Sequence, residues 1–229
     1  MGKLNRILQL AFLIMAPITL VLCAVLKYSN TLILTTAMTI VALAVFFVQF
    51  EKRKIRARDI MPVVVLSALS CVGRLVFNPL PNIQPVSAII IVGAICFGEQ
   101  SGFMIGALSA LASNMFLGQG AWTPWQMYLW GMMGYVSGYL ARTKLFKFKT
   151  VMYAYGFISS FLMGLVMDLW FVIGFVRPIT LGAMIMAVGT GAAFNLFHAL
   201  GTVGFLLLVL NPWTKKLLRI KTKFGLYQQ

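Results

Sequence analysis

Residues 101–141 read SGFMIGALSALASNMFLGQGAWTPWQMYLWGMMGYVSGYLA, and this stretch decides the fold class. Two apolar segments flank a short polar linker, GQGAWT. Gly102, Gly106 and Ala110 recur at four-residue intervals in the first segment, as do Gly134 and Gly138 in the second. Residues four apart share one helix face, and small residues let helices approach closely inside a membrane. The stretch therefore predicts two closely packed membrane helices.

The composition of the whole chain agrees with a membrane protein. Of 229 residues, 61% are hydrophobic and only 10% are charged, and the mean hydropathy is +0.93. A soluble domain needs more charge to cover its surface. We therefore expect an all-α integral membrane protein. Cys23, Cys71 and Cys96 lie in apolar stretches without metal-ligand or disulfide spacing, which indicates small buried residues.

Hydropathy predicts a series of apolar segments along the chain. They are 7–27, 31–50, 59–77, 85–98, 101–117, 123–141, 151–175 and 180–210. A perpendicular span needs about 20 residues. The segments 85–98 and 101–117 are shorter, so they are either short tilted helices or a re-entrant pair.

Basic residues predict the orientation. Sixteen of the 19 Lys and Arg residues lie at the N-terminus, in the links 51–58 and 142–150, and in the tail after 210. With eight spans, all four regions fall on one side, which the positive-inside rule makes cytoplasmic. Both termini are therefore predicted to be inside. The same distribution argues against nucleic-acid binding, despite a net charge of +15.

The link EKRKIRARD divides the chain into two parts. We predict an accessory transmembrane hairpin over 1–50, a basic cytoplasmic linker over 51–58, and a six-helix core over 59–210. Residues 211–229 are predicted to form a basic cytoplasmic tail along the inner lipid surface.

Two charged residues lie inside predicted spans, where charge is costly. Arg74 is either a snorkelling residue that reaches the headgroups or a cation that lines a ligand cavity. Asp168 is either a structural partner, of Arg74 or of a backbone group, or a ligand contact or proton carrier.

Three further polar residues allow similar alternatives. Asn195 and His198 are three apart and share one helix face; each is either a packing residue or a ligand contact. Asn114 makes either an interhelical hydrogen bond or a ligand contact. The chain has a single histidine, which argues against a histidine-based metal site.

The predicted outward linkers are rich in neutral polar and aromatic residues. In GQGAWTPWQM, Trp122 and Trp125 are either members of an interfacial aromatic belt or flat walls of a pocket. Gln119, Thr123 and Gln126 supply donors and acceptors beside them, and Thr123 is a candidate helix cap before Pro124.

Motifs for catalysis and nucleotide binding are missing from the sequence. There is no GxxxxGK[ST], HExxH, GxSxG or CxxC motif. Four acidic residues and one histidine are few for acid–base chemistry, so we expect no enzyme and no cofactor. A channel is disfavoured because the polar groups cluster at one end. A stand-alone secondary transporter that uses Asp168 and a ligand-free structural or assembly protein remain as alternatives.

The run GRLVFNPLPNIQPVSAIIIVGAICFG and the following GFMIGALSALASNMFLGQGAWTPWQMYLWGMMGYVSG resemble the substrate-specific S component of energy-coupling factor (ECF) transporters. The resemblance covers about 59–210 and is strongest to the branch associated with cobalamin and related corrinoids. It implies a six-helix bundle in the bacterial plasma membrane that binds a vitamin near the outer face. The extra hairpin is a departure, because many members have only the core helices.

The resemblance also implies partners and a mechanism. Such subunits act with a transmembrane coupling protein and two cytoplasmic ATPases, which use the ATP, and they are thought to topple in the membrane to deliver their ligand. Small residues on the first core helix dock on the coupling protein; here the matching positions are Ser67, Ala68 and Cys71, in an imperfect pattern.

The predicted ligand site combines these observations. It contains Arg74, Asn78, Gln84, Asn114, Gln119, Trp122, Thr123, Trp125, Gln126, Asp168, Asn195 and His198. Amide and aromatic groups of this kind suit a large, partly apolar vitamin. A corrinoid fits, and riboflavin-like and pterin-like molecules remain open.

Overall fold

The computed structural model describes residues 14–15, 17–19, 21–22, 25, 31–51 and 56–227. The helices from residue 31 onward are α1 (Thr31–Glu51), α2 (Ala57–Val76), α3 (Val86–Phe97), α4 (Glu99–Leu117), α5 (Thr123–Leu140), α6 (Lys149–Phe175) and α7 (Leu181–Lys223), with a 3-10 turn at Leu145–Lys147. The described positions between 14 and 25 are also helical, and no strand occurs in the described ranges. The predicted segment 7–27 lies largely outside them.

The predicted segments agree with these helices to within two residues, with one exception. The last helix was predicted to end at 210 but continues to Lys223, through Pro212. Proline removes one backbone donor and usually ends a helix. Beyond Pro212, however, Trp213, Leu217 and Ile220 pack against the core. This packing keeps the tail helical, while Lys215 and Arg219 remain exposed.

Among the residues that the structure describes, three helices, α2, α6 and α7, are long and apolar enough to cross a membrane. The 43 residues of α7 rise about 64 Å at 1.5 Å per residue, which is longer than a hydrocarbon layer of about 30 Å. The 12 residues of α3 rise only about 18 Å.

Helix α3 forms the centre of the bundle. Its sequence, VSAIIIVGAICF, is apolar on every face, and eleven of its twelve residues are buried. A helix that is hydrophobic all round must be covered on all sides. Helices α2, α4, α5 and α7 surround it.

Helices α4 and α5 approach each other closely through glycines. A Cβ atom at Gly102 would lie 2.6 Å from the carbonyl oxygen of Gly134, and one at Gly106 would lie 2.7 Å from the backbone nitrogen of Gly131. These distances leave no room for side chains. The small residues that opened the sequence analysis therefore set the packing of α4 against α5.

Helix α1 packs against α5, with further contacts to α4 and α6. Ala42 and Leu43 are buried against an aromatic cluster that includes Trp125, Tyr128 and Trp170. The second helix of the predicted accessory hairpin therefore covers an apolar face of the core.

Basic linkers gather at one end of the bundle, which we call the inner end. Arg56 Nη2 donates to the carbonyl oxygen of Gly225 at 3.1 Å. The backbone nitrogen of Tyr227 donates to Asp59 Oδ1 at 2.8 Å. Arg142 Nη2 lies 2.5 Å from Glu99 Oε2 in an ion pair, and Arg142 lines the same cavity as Tyr227. The chain after α7 therefore folds back onto the start of α2. The opposite end, called the outer end, carries the linkers 78–84 and 118–122.

Candidate ligand-binding site

Arg74 lies near the outer end of α2 and points into the bundle. Its Nη1 donates to Ser113 Oγ at 2.6 Å and to Asn114 Oδ1 at 2.7 Å, both on α4. The guanidinium also stacks 4.8 Å from the ring centroid of Trp130 on α5. These contacts favour an inward-facing cation over a residue that snorkels to the headgroups.

Asn114 connects Arg74 to the start of α5. Its Nδ2 donates to Gln126 Oε1 at 2.8 Å and to Thr123 Oγ1 at 3.1 Å. The amide thus accepts from Arg74 with its oxygen and donates twice with its nitrogen. Four of the predicted site residues, Arg74, Asn114, Thr123 and Gln126, therefore belong to one hydrogen-bonded cluster.

Thr123 has a different role from the one predicted. It is the first residue of α5 rather than its cap, and Trp122 in the capping position makes no side-chain cap hydrogen bond. The hydroxyl oxygen of Thr123 instead accepts from the backbone nitrogen of Gly120 at 3.3 Å as well as from Asn114. It ties the GQG linker to the start of α5.

His198 joins the same cluster through Trp130. Trp130 Nε1 donates to Ser87 Oγ at 3.1 Å, and Ser87 Oγ lies 3.0 Å from His198 Nε2. His198 Nδ1 lies 3.2 Å from the carbonyl oxygen of Asn82, which can only accept. This arrangement assigns the proton to Nδ1, so that Nε2 accepts from the Ser87 hydroxyl. Both ring nitrogens are used by protein groups.

Asp168 and Asn195 form a separate pair between α6 and α7. Asn195 Nδ2 donates to Asp168 Oδ2 at 2.7 Å. Glycine makes space on each side: a Cβ atom at Gly191 would lie 2.8 Å from Asp168 Cγ, and one at Gly164 would lie 3.0 Å from Asn195 Cβ. Among the described residues, no ion pair joins Arg74 to Asp168. Asn195 and His198 share a helix face but contact different partners.

The two tryptophans of the GQG linker region lie in different environments. Trp122 is 40% exposed, and Trp125 is 0% exposed. Trp125 packs edge-to-face on Tyr128, with ring centroids 6.1 Å apart. Its Nε1 is buried without a hydrogen-bond partner. Of these two tryptophans, only Trp122 is therefore exposed enough to line a pocket at the surface or to anchor the protein at the membrane interface.

The remaining predicted ligand residues lie at the outer end, outside the cluster. Asn78 is exposed and Gln84 is buried. Gln119 is exposed, and its Nε2 donates to the carbonyl oxygen of Leu111 at 3.3 Å. The linker that holds Asn78 and Gln84 is fixed to α7, because Asn82 Nδ2 donates to the carbonyl oxygen of Phe194 at 3.0 Å.

The three predicted docking residues do not share one face of α2. Ser67 and Cys71 are buried, and Ser67 Oγ donates to the carbonyl oxygen of Ile105 at 3.3 Å. Ala68 is exposed, between the exposed Val64 and Val72. Only Ala68 of the three is therefore placed on the outside of the bundle.

Sequence reasoning missed three residues of the cluster, Ser87, Ser113 and Trp130. Ser87 stands alone among apolar residues of α3, and that isolation is a usable signal. Ser113 directly precedes Asn114, and the sequence analysis singled out only the asparagine of the two. Nothing in the sequence distinguishes Trp130 from a packing residue, because its partner Arg74 lies 56 positions earlier.

The side chains of the site are of the kinds that bind a ligand through hydrogen bonds and aromatic contacts. The site offers one guanidinium, neutral amides, hydroxyls and an aromatic ring, and such groups suit carbonyl, amide or anionic groups of a ligand. No group of three or more His, Cys, Asp or Glu side chains with metal-binding geometry occurs among the described residues. Ser87 and His198 are buried and bonded to protein groups, so they tie α3 to α7.

A family model for the substrate-specific component of ECF transporters matches residues 58–212. This is more than half of the chain, so the chain belongs to the ECF transporter substrate-specific component family. No curated protein and no solved structure matches the chain significantly.

Membership defines the chain as a membrane-embedded, substrate-binding subunit of an ECF transporter and not an enzyme. Its family works with an ECF module of coupling protein and ATPases and with a small-molecule substrate. Helix α1 lies outside the matched region.

Proposed function

We propose that this chain captures a vitamin, with a corrinoid as the preferred ligand, at the outer face of a bacterial plasma membrane. The coupling protein and ATPases then drive delivery to the cytoplasm. The observation that carries the proposal is the cluster of Arg74, Asn114 and Gln126, which joins α2, α4 and α5 at the outer end. Its guanidinium and amides match the amide side chains and phosphate of a corrinoid.

The orientation is part of the proposal. The inner end carries Arg56, Arg142 and Lys221, as the positive-inside rule requires of a cytoplasmic surface. The outer end carries the neutral linkers that bear Asn82 and Gln119. We propose that both termini are cytoplasmic and that 59–210 forms the substrate-binding core, with α1 as part of an accessory hairpin.

Ligand entry requires the cluster to exchange partners. Arg74 and Asn114 are hydrogen-bonded within the protein. A ligand carbonyl or phosphate would replace one of these partners, and the linkers 78–84 and 118–122 would move with it. Exchange of one buried hydrogen bond for another is nearly neutral in free energy, whereas loss of a partner costs about 1–3 kcal/mol.

The test is equilibrium binding to the purified full chain in detergent. A panel of cobalamin, cobinamide, riboflavin and folate is compared by isothermal titration calorimetry. We expect one-to-one corrinoid binding that weakens about tenfold or more in Arg74→Ala and Gln126→Ala. Asn211→Ala, an exposed amide on α7 outside the cluster, is the matched control and should bind normally.

The other outcomes separate the alternatives. Tight binding of a different vitamin, with the same dependence on Arg74 and Gln126, retains the site and replaces the corrinoid. Absence of binding to every vitamin by well-folded protein would contradict the proposal and favour a ligand-free structural role. Uptake by liposomes that contain this chain alone would favour a stand-alone transporter.

A further inference from the structure

A cavity of about 330 Å³ lies at the inner end of the bundle, far from the cluster at the outer end. It is bounded by the last residues of α3 and α5, the end of α7 and the chain beyond α7. Cys96, Gly98, Arg142, Lys221 and Tyr227 are among the residues that line it. Its volume lies within the range of small-molecule sites.

Two cations face this cavity. Lys221 Nζ donates to the carbonyl oxygen of Cys96 at 2.8 Å, and an ammonium has three donors, so two are left for a ligand. Arg142 pairs with Glu99 at 2.5 Å. Its guanidinium carries five donors, which leaves several beyond this pair.

Backbone geometry adds to the positive potential. Gly98 separates α3 from α4 with φ of +93°, a conformation that favours glycine. A Cβ atom there would lie 3.9 Å from Arg142 Nη2, so the guanidinium sits over the start of α4. The first backbone N–H groups of a helix lack intrahelical partners and favour anions. Glu99, in the first turn, now supplies the negative charge.

Tyr227, in the wall of the cavity, is held in place by hydrogen bonds. Tyr227 is held by a hydrogen bond from its hydroxyl to the carbonyl oxygen of Asp59 at 2.5 Å and accepts from Ser101 Oγ at 3.1 Å. Leu226 beside it is buried in the core. Leu226 and Tyr227 are thus fixed against the bundle, and Tyr227 is bonded to both α2 and α4.

We propose that this cavity binds the phosphate group of an anionic ligand, held by Arg142 and Lys221 at the start of α4. Arg142 exchanges Glu99 for the phosphate, and Lys221 contributes its remaining donors. The exposed cations Lys144 and Lys215 raise the local concentration of anions. The phosphate comes either from the headgroup of an acidic phospholipid or from a free phosphate compound.

The test measures binding of three probes to the purified full chain in detergent by native mass spectrometry. They are dihexanoyl-phosphatidylglycerol, the corresponding diacylglycerol without phosphate, and inorganic phosphate. We expect Lys221→Gln and Arg142→Gln each to weaken phosphatidylglycerol binding about tenfold. Lys216→Gln, an exposed lysine on the same helix outside the cavity, should change it less than about twofold.

Glu99→Gln distinguishes a ligand site from a structural ion pair. It removes the carboxylate that competes for Arg142, so we expect phosphate binding to strengthen by about threefold or more. Thermal unfolding of each variant without ligand controls for misfolding. The double variant Glu99→Gln with Arg142→Gln preserves the charge balance where the single arginine variant does not fold.

The source of the phosphate follows from the probes. Binding of phosphatidylglycerol alone identifies a lipid headgroup, whereas competition by inorganic phosphate identifies a free phosphate compound. Equal weakening by Lys216→Gln and Lys221→Gln would overturn the proposal, since it would indicate general surface charge. Weaker binding in Glu99→Gln would overturn it too. Failure of both phosphate probes to bind would reject the proposal, and an acidic segment of a partner protein would then be the remaining occupant.

Discussion

Arg74 Nη1 lies 2.7 Å from Asn114 Oδ1, across 40 residues of sequence. The same amide donates to Gln126 and Thr123. One asparagine side chain thereby holds the outer ends of α2, α4 and α5 together. A buried amide that serves three partners is costly to remove, because every partner loses a hydrogen bond at once.

Replacement of Asn114 by Ala should destabilise the protein. The change removes one hydrogen bond each from Arg74, Thr123 and Gln126 in a partly buried cluster, although Arg74 keeps its bond to Ser113. We therefore expect a loss of about 2–4 kcal/mol. Thermal unfolding in detergent, followed by tryptophan fluorescence, measures it as a lower Tm. Asn211→Ala serves as the control and should leave Tm unchanged; a comparable drop in both variants would argue against the cluster.

The glycines at which α4 and α5 touch should not tolerate replacement by a residue with a side chain. Gly106→Val would push a side chain into the backbone of Trp130 and Gly131, and we expect a loss of about 3 kcal/mol or failure to fold. The yield of monodisperse protein from size-exclusion chromatography reports this change.

The matched control for that prediction is Gly189→Val on α7, where an added Cβ atom has no neighbour within 4 Å. It should give normal yield and normal Tm. Equal damage from both valines would show that helix propensity, rather than close packing, explains the effect.

Asp168 is expected to act through Asn195 rather than as a proton carrier. In Asp168→Asn, the amide oxygen still accepts from Asn195 Nδ2, so vitamin binding and uptake by the complete ECF complex should stay within about twofold of wild type. Uptake into proteoliposomes at two pH values measures this. Loss of uptake with binding intact would support proton coupling, contrary to expectation.

The counterpart variant Asn195→Ala removes the side-chain amide that donates to Asp168 and leaves the carboxylate between α6 and α7 without this hydrogen bond. We expect a stability loss of about 1–3 kcal/mol. Stability that is unchanged in Asn195→Ala would indicate that the pair does not hold the two helices together.

Docking on the coupling protein should depend on Ala68 more than on its buried neighbours Ser67 and Cys71. Ala68→Trp places a bulky side chain on the exposed face of α2 without touching the interior, so we expect co-purification with the coupling protein to fall about tenfold. Vitamin binding by the isolated subunit should not change.

Leu207→Trp, on an exposed position of α7, is the matched control for Ala68→Trp and should co-purify normally. Normal assembly of Ala68→Trp would exclude this part of α2 from the interface. Weaker assembly of both variants would indicate a general effect of added bulk in the membrane.

The sequence predicted the helices well because each depends on local information. Apolar length and small-residue spacing gave the bounds of α1 to α6 to within two residues. The end of α7 was wrong, since Pro212 is a local stop signal and only the packing of Trp213 and Leu217 on the core overrides it. For the site, the sequence pointed to Arg74 and Asn114 because polar residues in apolar spans are unusual. It pointed to Thr123 and Gln126 because they lie beside two tryptophans in the polar stretch GQGAWTPWQM.

The sequence by itself determined that this protein is an all-helical membrane protein of the ECF substrate-specific component family, since composition, spacing and motifs are properties of the chain. Only the tertiary structure decided which polar residues are partners. It paired Asp168 with Asn195 and not with Arg74, buried Trp125 while leaving Trp122 exposed, and turned Ser67 and Cys71 inward. Those outcomes depend on the rotation of each helix about its own axis, which is set by close packing against distant segments such as Gly102 on Gly134.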